Sequence, residues 1–595
     1  MFKTKKSLLS IAILAGSFGL TACGGSSSDP APTPTPPANS APTDITLSAS
    51  NVSENITGET IGTLSATDAD ASDTFTFTVN DDRFEIEGAD LKLKAENALN
   101  FEQEANVSLI VTVTDSASAT YSKDITVNVD DLLDYYDFES KAMPGESSVS
   151  YSGQIARQLL INDLSKLIGA ELSDATTFDT NGTFVNRESV MNALNSYFDV
   201  ADYDVASQRA LLTTTTPGAQ TMLSEISNSS KDLVGKIAGN DATGQHRNWE
   251  GTELNGEGDP IDSDGNLNIV NGDFAGWGAK GSTTPEMLVR TLFGMLADNA
   301  QTQLDGTVRL DAFGNDITNI SLTSDGRDLK QLIQKFLLMS VAFSQGVDDY
   351  LDNDVDGKGL LSDHTDTEKA YTSLEHQFDE AFGYFGAARD YLDYSDDEVA
   401  AKSGRDDWQL YHDTNGDGSI DFNSEYNFGQ STNASKRDRS ATVAIDLSKD
   451  AMTAFLQGRK LLNDTAGVAL TDEQRTELYG YRDTAVLTWE KAIAATVVHY
   501  INDVDDDLEK IGTDDFSYAD IAKHWSEMKG FALGLQFNKA TPLNNADFIT
   551  VHTMLGDMPV LTGEAEVLAY RANLLTARDL LQTAYAFDAE NAANW

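Results

Sequence analysis

The chain has 595 residues, with 41 Lys and Arg against 95 Asp and Glu, a formal net charge of −54 and a single cysteine. Such an excess of acid argues against nucleic acid as a partner, because phosphate binding needs clustered basic side chains, and it favours divalent cations such as Ca²⁺. One cysteine excludes intramolecular disulfides, CxxC redox chemistry and cysteine-rich zinc sites, and the length with 40% hydrophobic residues implies more than one domain.

Residues 1–22 read as a leader. Lys3, Lys5 and Lys6 precede the apolar run LLSIAILAGSFGL at 8–20, and small residues stand before Cys23. Leu20-Thr21-Ala22-Cys23 resembles the bacterial lipobox. That resemblance implies a diacylglyceryl group on the sulfur of Cys23, cleavage before it and, with Gly24 following, anchoring in the outer membrane on its periplasmic face or at the cell surface. Removing the leader lysines leaves the mature chain more acidic still. No later stretch approaches 18 apolar residues, so nothing else in the sequence is expected to span a bilayer. Residues 23–40, rich in Gly, Ser and Pro, read as a linker that lifts the folded part off the membrane.

From 41 to 131 the apolar period is two, as in Phe75-Thr-Phe77-Thr-Val79, Leu109-Ile-Val111-Thr-Val113 and Ile125-Thr-Val127-Asn-Val129. Such runs separated by polar turns predict a small β-sandwich. Ala41-Pro-Thr-Asp-Ile, Val52-Ser-Glu54-Asn55, Ile61 through Asp68-Ala-Asp70, Leu99-Asn-Phe-Glu102 and Val113-Thr-Asp115 together resemble bacterial cadherin-like repeats. The resemblance implies that Glu54, Asp68, Asp70, Glu102 and Asp115 converge at the domain ends on Ca²⁺, a hard cation that takes six to eight oxygens. The exit, Asn128-Val-Asp130-Asp131, matches the family's Asp/Asn-rich linker only in part, and a single repeat lacks the neighbour that inter-repeat sites need. A metal-free stalk is the other reading of the same segment.

After Leu132 the period becomes helical, as in Ile155, Leu159, Leu160, Leu164, Leu167 and Ile168, and in Trp489, Ile493, Val497 and Ile501. Amphipathic stretches near 151–171, 187–200, 284–304, 327–351, 366–395, 440–463, 471–509, 517–536 and 563–588 predict a large all-α domain over 135–595. Its size suggests two packed lobes. Tyr151-Ser-Gly-Gln-Ile-Ala-Arg157, the segment Glu375–Gly386, Trp489-Glu-Lys-Ala-Ile with His499-Tyr-Ile-Asn502, and the segment His524–Phe531 resemble an uncharacterised family of bacterial lipoproteins, the domain of unknown function numbered forty-eight fifty-six. That family implies no established activity. A weaker similarity is to imelysin-like proteins, which are helical, often iron-linked and carry a His-x-x-Glu motif. Phe378-Asp-Glu380-Ala-Phe-Gly383-Tyr384 also aligns with Trp525-Ser-Glu527-Met-Lys-Gly530-Phe531, which reads either as an internal duplication or as chance.

Three constellations carry possible chemistry. His376 with Glu380 (i,i+4) and His524 with Glu527 (i,i+3) each place an imidazole and a carboxylate on one helix face, where they either ligate iron or zinc or form a buried polar contact that fixes helix packing. His499 with Asp503 is a third such pair. The segment Asp413-Thr-Asn415-Gly-Asp417-Gly-Ser419-Ile-Asp421 has the oxygen-donor spacing of an EF-hand-like calcium loop, with Glu425 one residue late for the last ligand. Asp352-Asn-Asp354-Val-Asp356-Gly357 is a poorer copy, and Asp262-Ser-Asp264-Gly265 reads as a turn. HExxH, GxSxG, Walker A and GxGxxG are all absent from the sequence.

The expected protein is therefore a non-enzymatic, lipid-anchored outer-membrane lipoprotein with calcium-stabilised domains that binds a metal such as iron, or a ligand carrying it. The alternative is a calcium-dependent surface adhesin or matrix protein that contacts surface proteins or glycans. A metal-dependent hydrolase built on the His/Glu pairs is the second alternative.

Overall fold

The computed structural model describes residues 38–101, 103–173, 182–199, 209–212, 216, 218–228, 231–240, 253–254, 260–261 and 274–595. The leader, Cys23, nearly all of the linker, Glu102 and the turn at Asp262 and Asp264 lie outside them.

Eight strands build the N-terminal part: β1 (Asp44–Leu47), β2 (Asn51–Ser53), β3 (Thr60–Thr67), β4 (Thr76–Val79), β5 (Phe84–Glu87), β6 (Asp90–Leu93), β7 (Asn106–Thr114) and β8 (Thr120–Asp130). They form two four-stranded sheets, ordered β1-β3-β6-β5 and β2-β8-β7-β4. The β2–β8 pair is parallel, Asn51 lying opposite Asn128, and β4 runs antiparallel to β7 with Phe77 opposite Val113. The period-two reading holds residue by residue. Val107, Leu109, Val111 and Val113 of β7 are buried, while Ile110 between them faces outward. Gly62, at a register shift in β3, has no room for a side chain, because a Cβ would lie 2.6 Å from the carbonyl oxygen of Ala49.

The remainder is helical. Its principal helices are α1 (Ser152–Gly169), α2 (Arg187–Phe198), α3 (Pro285–Leu304), α4 (Leu329–Leu337), α5 (Ser373–Phe385), α6 (Gly429–Arg439), α7 (Leu447–Thr465), α8 (Asp472–Glu509), α9 (Tyr518–Ala532), α10 (Asn545–Leu555), α11 (Glu564–Tyr585) and α12 (Ala589–Asn594). Helix α4 continues into two π-helical segments, Leu338–Phe343 and Gly346–Tyr350. Helix α8, 38 residues long, opens on a Thr471/Gln474 capping box and packs against α6, α7, α9 and α11. Buried apolar residues from Tyr136 to Trp595 form one continuous core, not the two lobes that size alone suggested. Helices α6, α10 and α12 were not expected. The sequence of α6, GQSTNASKRDR, has no apolar stripe, yet Gln430, Ser431, Asn433, Ser435 and Arg437 are buried in it. Among the described residues no helix is long and apolar enough to cross a membrane.

Two compact units partition the chain. One comprises Gly58–Asn97, Ser108–Val127 and the residues up to Ser50. The larger comprises Asn51–Thr57, Ala98–Val107 and Asn128–Trp595.

Candidate cation sites

In the smaller unit, the loop after β3 brings Asp68, Asp70 and Asp73 together. One carboxylate oxygen from each lies within 4.8 Å of the others, and all three residues are half-buried. Asp68 Oδ1 accepts from the Asp70 backbone N–H at 2.9 Å, Asp70 Oδ2 accepts from the Ser40 N–H at 2.6 Å, and Asp73 accepts from the Ser116 hydroxyl. The second oxygens of Asp68 and Asp73 are buried with no hydrogen-bond partner. Three carboxylates turned toward one point, two of them with an unused oxygen, are a donor set for a hard divalent cation. Asp73 was not singled out in the sequence, because it falls outside the Asp-Ala-Asp pattern. Asp115, expected with this group, is occupied elsewhere. Its Oδ1 accepts from the N–H groups of Ala117 and Ala119, and its Oδ2 from Asn39 at 2.8 Å, which together hold its carboxyl below the usual range, the Asn39 bond most of all. It stabilises a turn.

A second group lies in the larger unit. Glu54, fully buried, accepts from the backbone N–H of Phe101 at 2.7 Å and of Leu132 at 2.6 Å. Asp131, Asp134 and Asp393 lie around it. Burial, followed by the charges of Glu54, Asp393 and Asp131, pushes the Asp134 carboxyl up to about 7. Burial and then Glu54 raise Asp131 as well, and the same two causes bring Asp393 to about 6. Asn55 donates to Asp134 Oδ2, and Asn100 donates to Asp393 Oδ2 at 3.0 Å, while Asp134 Oδ1 is buried without a partner. Arg405 pulls Asp393 down somewhat, but its guanidinium is bonded to Glu398 and to the Asp393 carbonyl rather than to any of these four carboxylates. The four acids thus act on one another electrostatically, although among the described residues only Asp68, Asp70 and Asp73 bring three carboxylate oxygens within 4.8 Å, and no described Lys or Arg side chain bonds to any of the four carboxylates. Asp134 and Asp393 were not anticipated. Asp134 follows three residues after Asp131 and extends the partial linker match, whereas nothing in the spacing of the sequence points to Asp393.

The loop at 413–425 is held by hydrogen bonds among its own residues. Asp413 accepts from the N–H groups of Asp417 at 3.0 Å and Gly418 at 2.8 Å. Asn415 accepts from Asp417, and Asp417 from Ser419. Gly416 and Gly418 take positive φ, 70° and 84°, which makes the tight turn possible. Asp421 bonds Gln220, Asn423 and Ser424. Glu425, buried beneath the loop, accepts from the N–H groups of Thr414, Asn415 and Asp421. Burial raises its carboxyl in spite of these bonds. The poorer copy at 352 is less open. Asp354 is paired with Lys539, and burial followed by the charge of Asp348 pushes Asp352 up to about 8.

The His/Glu pairs separate. His376 Nε2 stands 3.8 Å from Glu380 Oε1, but His376 Nδ1 is bonded to the Ser150 carbonyl and Glu380 Oε1 accepts from Gln154 at 2.7 Å. His524 does not pair with Glu527. Its Nδ1 lies 2.8 Å from Asp507 Oδ2 and its Nε2 4.0 Å from Asp503, whereas Glu527 faces Lys335 at 3.3 Å. Burial opposes charge on His524, but Asp507 and Asp503 raise it above its ordinary value. His499, 3.4 Å from Asp503, is driven down to about 3 by burial and then by Arg437. Three residue positions along a helix bring two side chains near each other, but their neighbours decide which partner each takes. The glycines of the two Glu-x-x-Gly helices back onto different neighbours: Gly383 onto Tyr151 and Gln154, and Gly530 onto Lys335 and Phe336.

The sequence also gave no sign of a fully buried ion cluster. Arg459 of α7 donates to Glu375 Oε1 and Asp379 Oδ1 of α5, each at 2.7 Å, and to the hydroxyl of Ser148, while Tyr136 donates to Asp379. Burial opposes its charge, yet Asp379 and Glu375 hold the Arg459 guanidinium above its ordinary value.

Comparison with solved structures finds human protocadherin-24 EC1-2 at 20% identity, covering 18% of this chain and 50% of that one, with a TM-score of 0.15. It also finds the protocadherin gammaB7 EC3-6 cis-dimer structure at 20% identity, covering 16% and 25%, with a TM-score of 0.13. The chain thus spans half of the first and a quarter of the second. No curated protein matches. The family match is shorter than the resemblance read from sequence, starting well after Tyr151–Arg157 and ending before α11. Residues 288–563, within the larger unit, match the family model described as Domain of unknown function (DUF4856).

Proposed function

We propose that this protein is a calcium-dependent surface adhesin or matrix protein, held at the outer membrane by lipid on Cys23 and stiffened by Ca²⁺ at its acidic clusters. The observation that carries the reading is the trio Asp68, Asp70 and Asp73, whose carboxylate oxygens lie within 4.8 Å of one another, two of the residues keeping a buried oxygen without a partner. The group Glu54, Asp131, Asp134 and Asp393 adds to it: among the described residues no basic side chain bonds these carboxylates, and burial followed by the neighbouring charges drives Asp134 to about 7. Such an arrangement is unfavourable unless a cation or protons occupy it. Oxygen-only donors at this group, at Asp68/Asp70/Asp73 and at the 413–425 loop suit Ca²⁺ rather than iron or zinc, which favour imidazole or thiolate ligands. The transition-metal reading is the weaker one because His376, His524 and Glu527 are committed to other partners.

The test is isothermal titration of Ca²⁺ into chelator-treated protein, together with cell aggregation with and without Ca²⁺. Saturable Ca²⁺ binding and Ca²⁺-dependent aggregation that is lost on deleting 41–131 is the expected outcome. Stoichiometric iron or zinc with no Ca²⁺ response would overturn the proposal. Mass spectrometry of the mature N-terminus and a Cys23→Ser variant released from the membrane fraction test the anchor separately.

A further inference from the structure

Helices α4, α6, α8 and α9 pack in sequence, α6 on α8, α8 on α9 and α9 on α4. The last turn of α6 carries Arg437, which is 6% exposed. Its guanidinium forms no hydrogen bond and no ion pair with any described residue, and Nε and Nη1 are buried without a partner. Arg459 is buried too, but it is bonded to two carboxylates. A guanidinium has five N–H donors, and withdrawing them from water with nothing to bond is costly. Burial accordingly pushes Arg437 down to about 10, against the pull of Tyr500, Asp503 and Asp438.

The acids that act on Arg437 are engaged elsewhere. Asp438 accepts from the backbone N–H groups of Leu447 at 2.8 Å and Ser448 at 2.7 Å. Asp503 Oδ2 stands 3.4 Å from His499 Nε2 and 4.0 Å from His524 Nε2. Further positive charge adds to that of Arg437. Lys436 is exposed over much of its length, and no described residue pairs with its ammonium. Burial, and then the like charges of Lys335, Lys402 and Arg437, bring it down to about 8. Glu527, which opposes them, is itself 3.3 Å from Lys335. The dipole of α6 favours basic residues in its last turn, which accounts for the exposed Lys436 and Arg439 but not for a buried guanidinium with no acceptor. In a chain with 95 acids, the fold has left this one unanswered.

The donors select the kind of anion. A planar fork of N–H groups matches two coplanar oxygens, the geometry of a carboxylate. Phosphate also suits a guanidinium, but as a dianion it would be repelled by Asp503 and Glu527 and by a net charge of −54. A single negative charge meets the smallest penalty. Tyr500, whose charge acts on Arg437 ahead of the two acids, presents a half-buried ring. That ring lies nearly parallel to Phe531, with centroids 6.2 Å apart and planes at 14°, and to His524 at 6.2 Å and 27°, so the side toward α8 and α9 is aromatic. We propose that Arg437, with Lys436 at the solvent side, binds the carboxylate of a small organic monoanion whose apolar body lies along Tyr500. The site goes beyond the calcium reading and does not depend on it.

Saturation-transfer NMR on the full chain, at a fixed excess of Ca²⁺ so that the acid clusters are not a variable, tests it. The probe is phenylacetate, 2-phenylethanol is its uncharged counterpart, and acetate and phosphate are competitors. The expected result is transfer to the ring protons of phenylacetate and not to those of the alcohol, with affinity reduced about tenfold or more in Arg437→Gln. That variant should melt no lower than wild type, because it removes a charge that no described residue pairs. Lys436→Gln, an exposed change, should weaken binding several-fold at an unchanged melting temperature, which separates loss of the site from loss of the fold. Absence of transfer to phenylacetate, equal transfer to the alcohol, or affinity unchanged in both variants would overturn the proposal. So would displacement of phenylacetate by phosphate at lower concentration than by acetate, which would assign the guanidinium to a tetrahedral anion.

Discussion

Two groups of acids in the larger unit have opposite solutions to the same electrostatic problem. Around Arg459, two fully buried carboxylates of one helix, Glu375 and Asp379, share a guanidinium at 2.7 Å from each, and Tyr136 and the Ser150 N–H complete the shell. Around Glu54, carboxylates at 131, 134 and 393 gather with only amide side chains and backbone N–H groups, and Asp134 and Asp393 are driven up to about 7 and about 6. The first group carries its own cation, and the second, which no described Lys or Arg side chain bonds, is one of the places where we propose a cation from solution. In a chain with 95 acids, the number of carboxylates in a cluster says little. What discriminates is whether the fold has placed a basic side chain among them.

The largest effect is expected where the internal cation is removed. Arg459→Met leaves Glu375 and Asp379 buried and unpaired, and breaking such a pair from one side costs about 3–5 kcal/mol. Urea unfolding followed by circular dichroism should show a fall in the midpoint of that size, with no rescue by Ca²⁺. Rescue by Ca²⁺ would mean that the Arg459 site can also accept an external cation, and the contrast between the two groups would disappear.

A smaller effect is expected at the Glu54 group. Ca²⁺ at a hundredfold excess over its dissociation constant stabilises a binding-competent fold by ~2.7 kcal/mol. Asp134→Asn should lose much of that increment while melting no lower than wild type in chelator, because the substitution removes a charge repelled by three neighbours. Equal Ca²⁺ responses in the two proteins would show that the group is not a cation site.

Protons provide a third test, and their sign is fixed. Asp134 and Asp393 have folded-state values raised above the unfolded ones, so the folded state binds their protons more tightly. Their contribution favours the fold fully below the unfolded value near 4 and is lost as pH rises through about 6 to 7. In chelator, scanning calorimetry from pH 8 to pH 5 should show these groups raising the melting temperature, an increment missing from an Asp134→Asn/Asp393→Asn variant. With Ca²⁺ present the trend should flatten, since protons and the cation compete for the same oxygens.

How much of this was legible in the sequence varies with the kind of signal. The strands of the sandwich and helix α3 could be read because each buries one stripe, which apolar period reports directly, whereas α1 and the middle of α8, buried on nearly every side, were legible because their apolar residues still recur at helical spacing. Helix α6 was invisible because Gln430, Ser431 and Asn433 are buried by hydrogen bonding rather than by hydrophobicity. Among candidate site residues, Asp68 and Asp70, singled out through the cadherin-like resemblance, do come together with Asp73, and the acids at 413–421, singled out by spacing, share one loop. Arg459 and Asp393 were missed because each acts across 80 or more residues of chain, beyond the reach of any local motif. The His524/Glu527 pairing failed for a related reason: helical spacing made the contact possible, but Asp507 and Lys335 offered each side chain a better partner.

The smallest effect, and the finest test of the contrast, belongs to the 413–425 loop, where backbone N–H groups rather than a basic side chain hold the acids. Asp413 and Asp417 already accept from the loop's own N–H groups, so the empty loop is preorganised and its exposed carboxylates repel one another little through water. Asp417→Ala should therefore change stability in chelator by no more than ~0.5 kcal/mol, as surface substitutions usually do. Its effect should appear only on the cation. Terbium luminescence excited through the Tyr411 and Tyr426 rings, which belong to the segment that carries the loop, reports its occupancy, with Asp134→Asn as the control for the Glu54 group. Loss of one donor from a multidentate oxygen set should weaken that signal about tenfold or more while leaving the Ca²⁺-induced rise in melting temperature largely in place. If instead Asp417→Ala removes the thermal response and Asp134→Asn does not, the stabilising cation sits in the preorganised loop, and the crowded acids around Glu54 are held together by the fold alone.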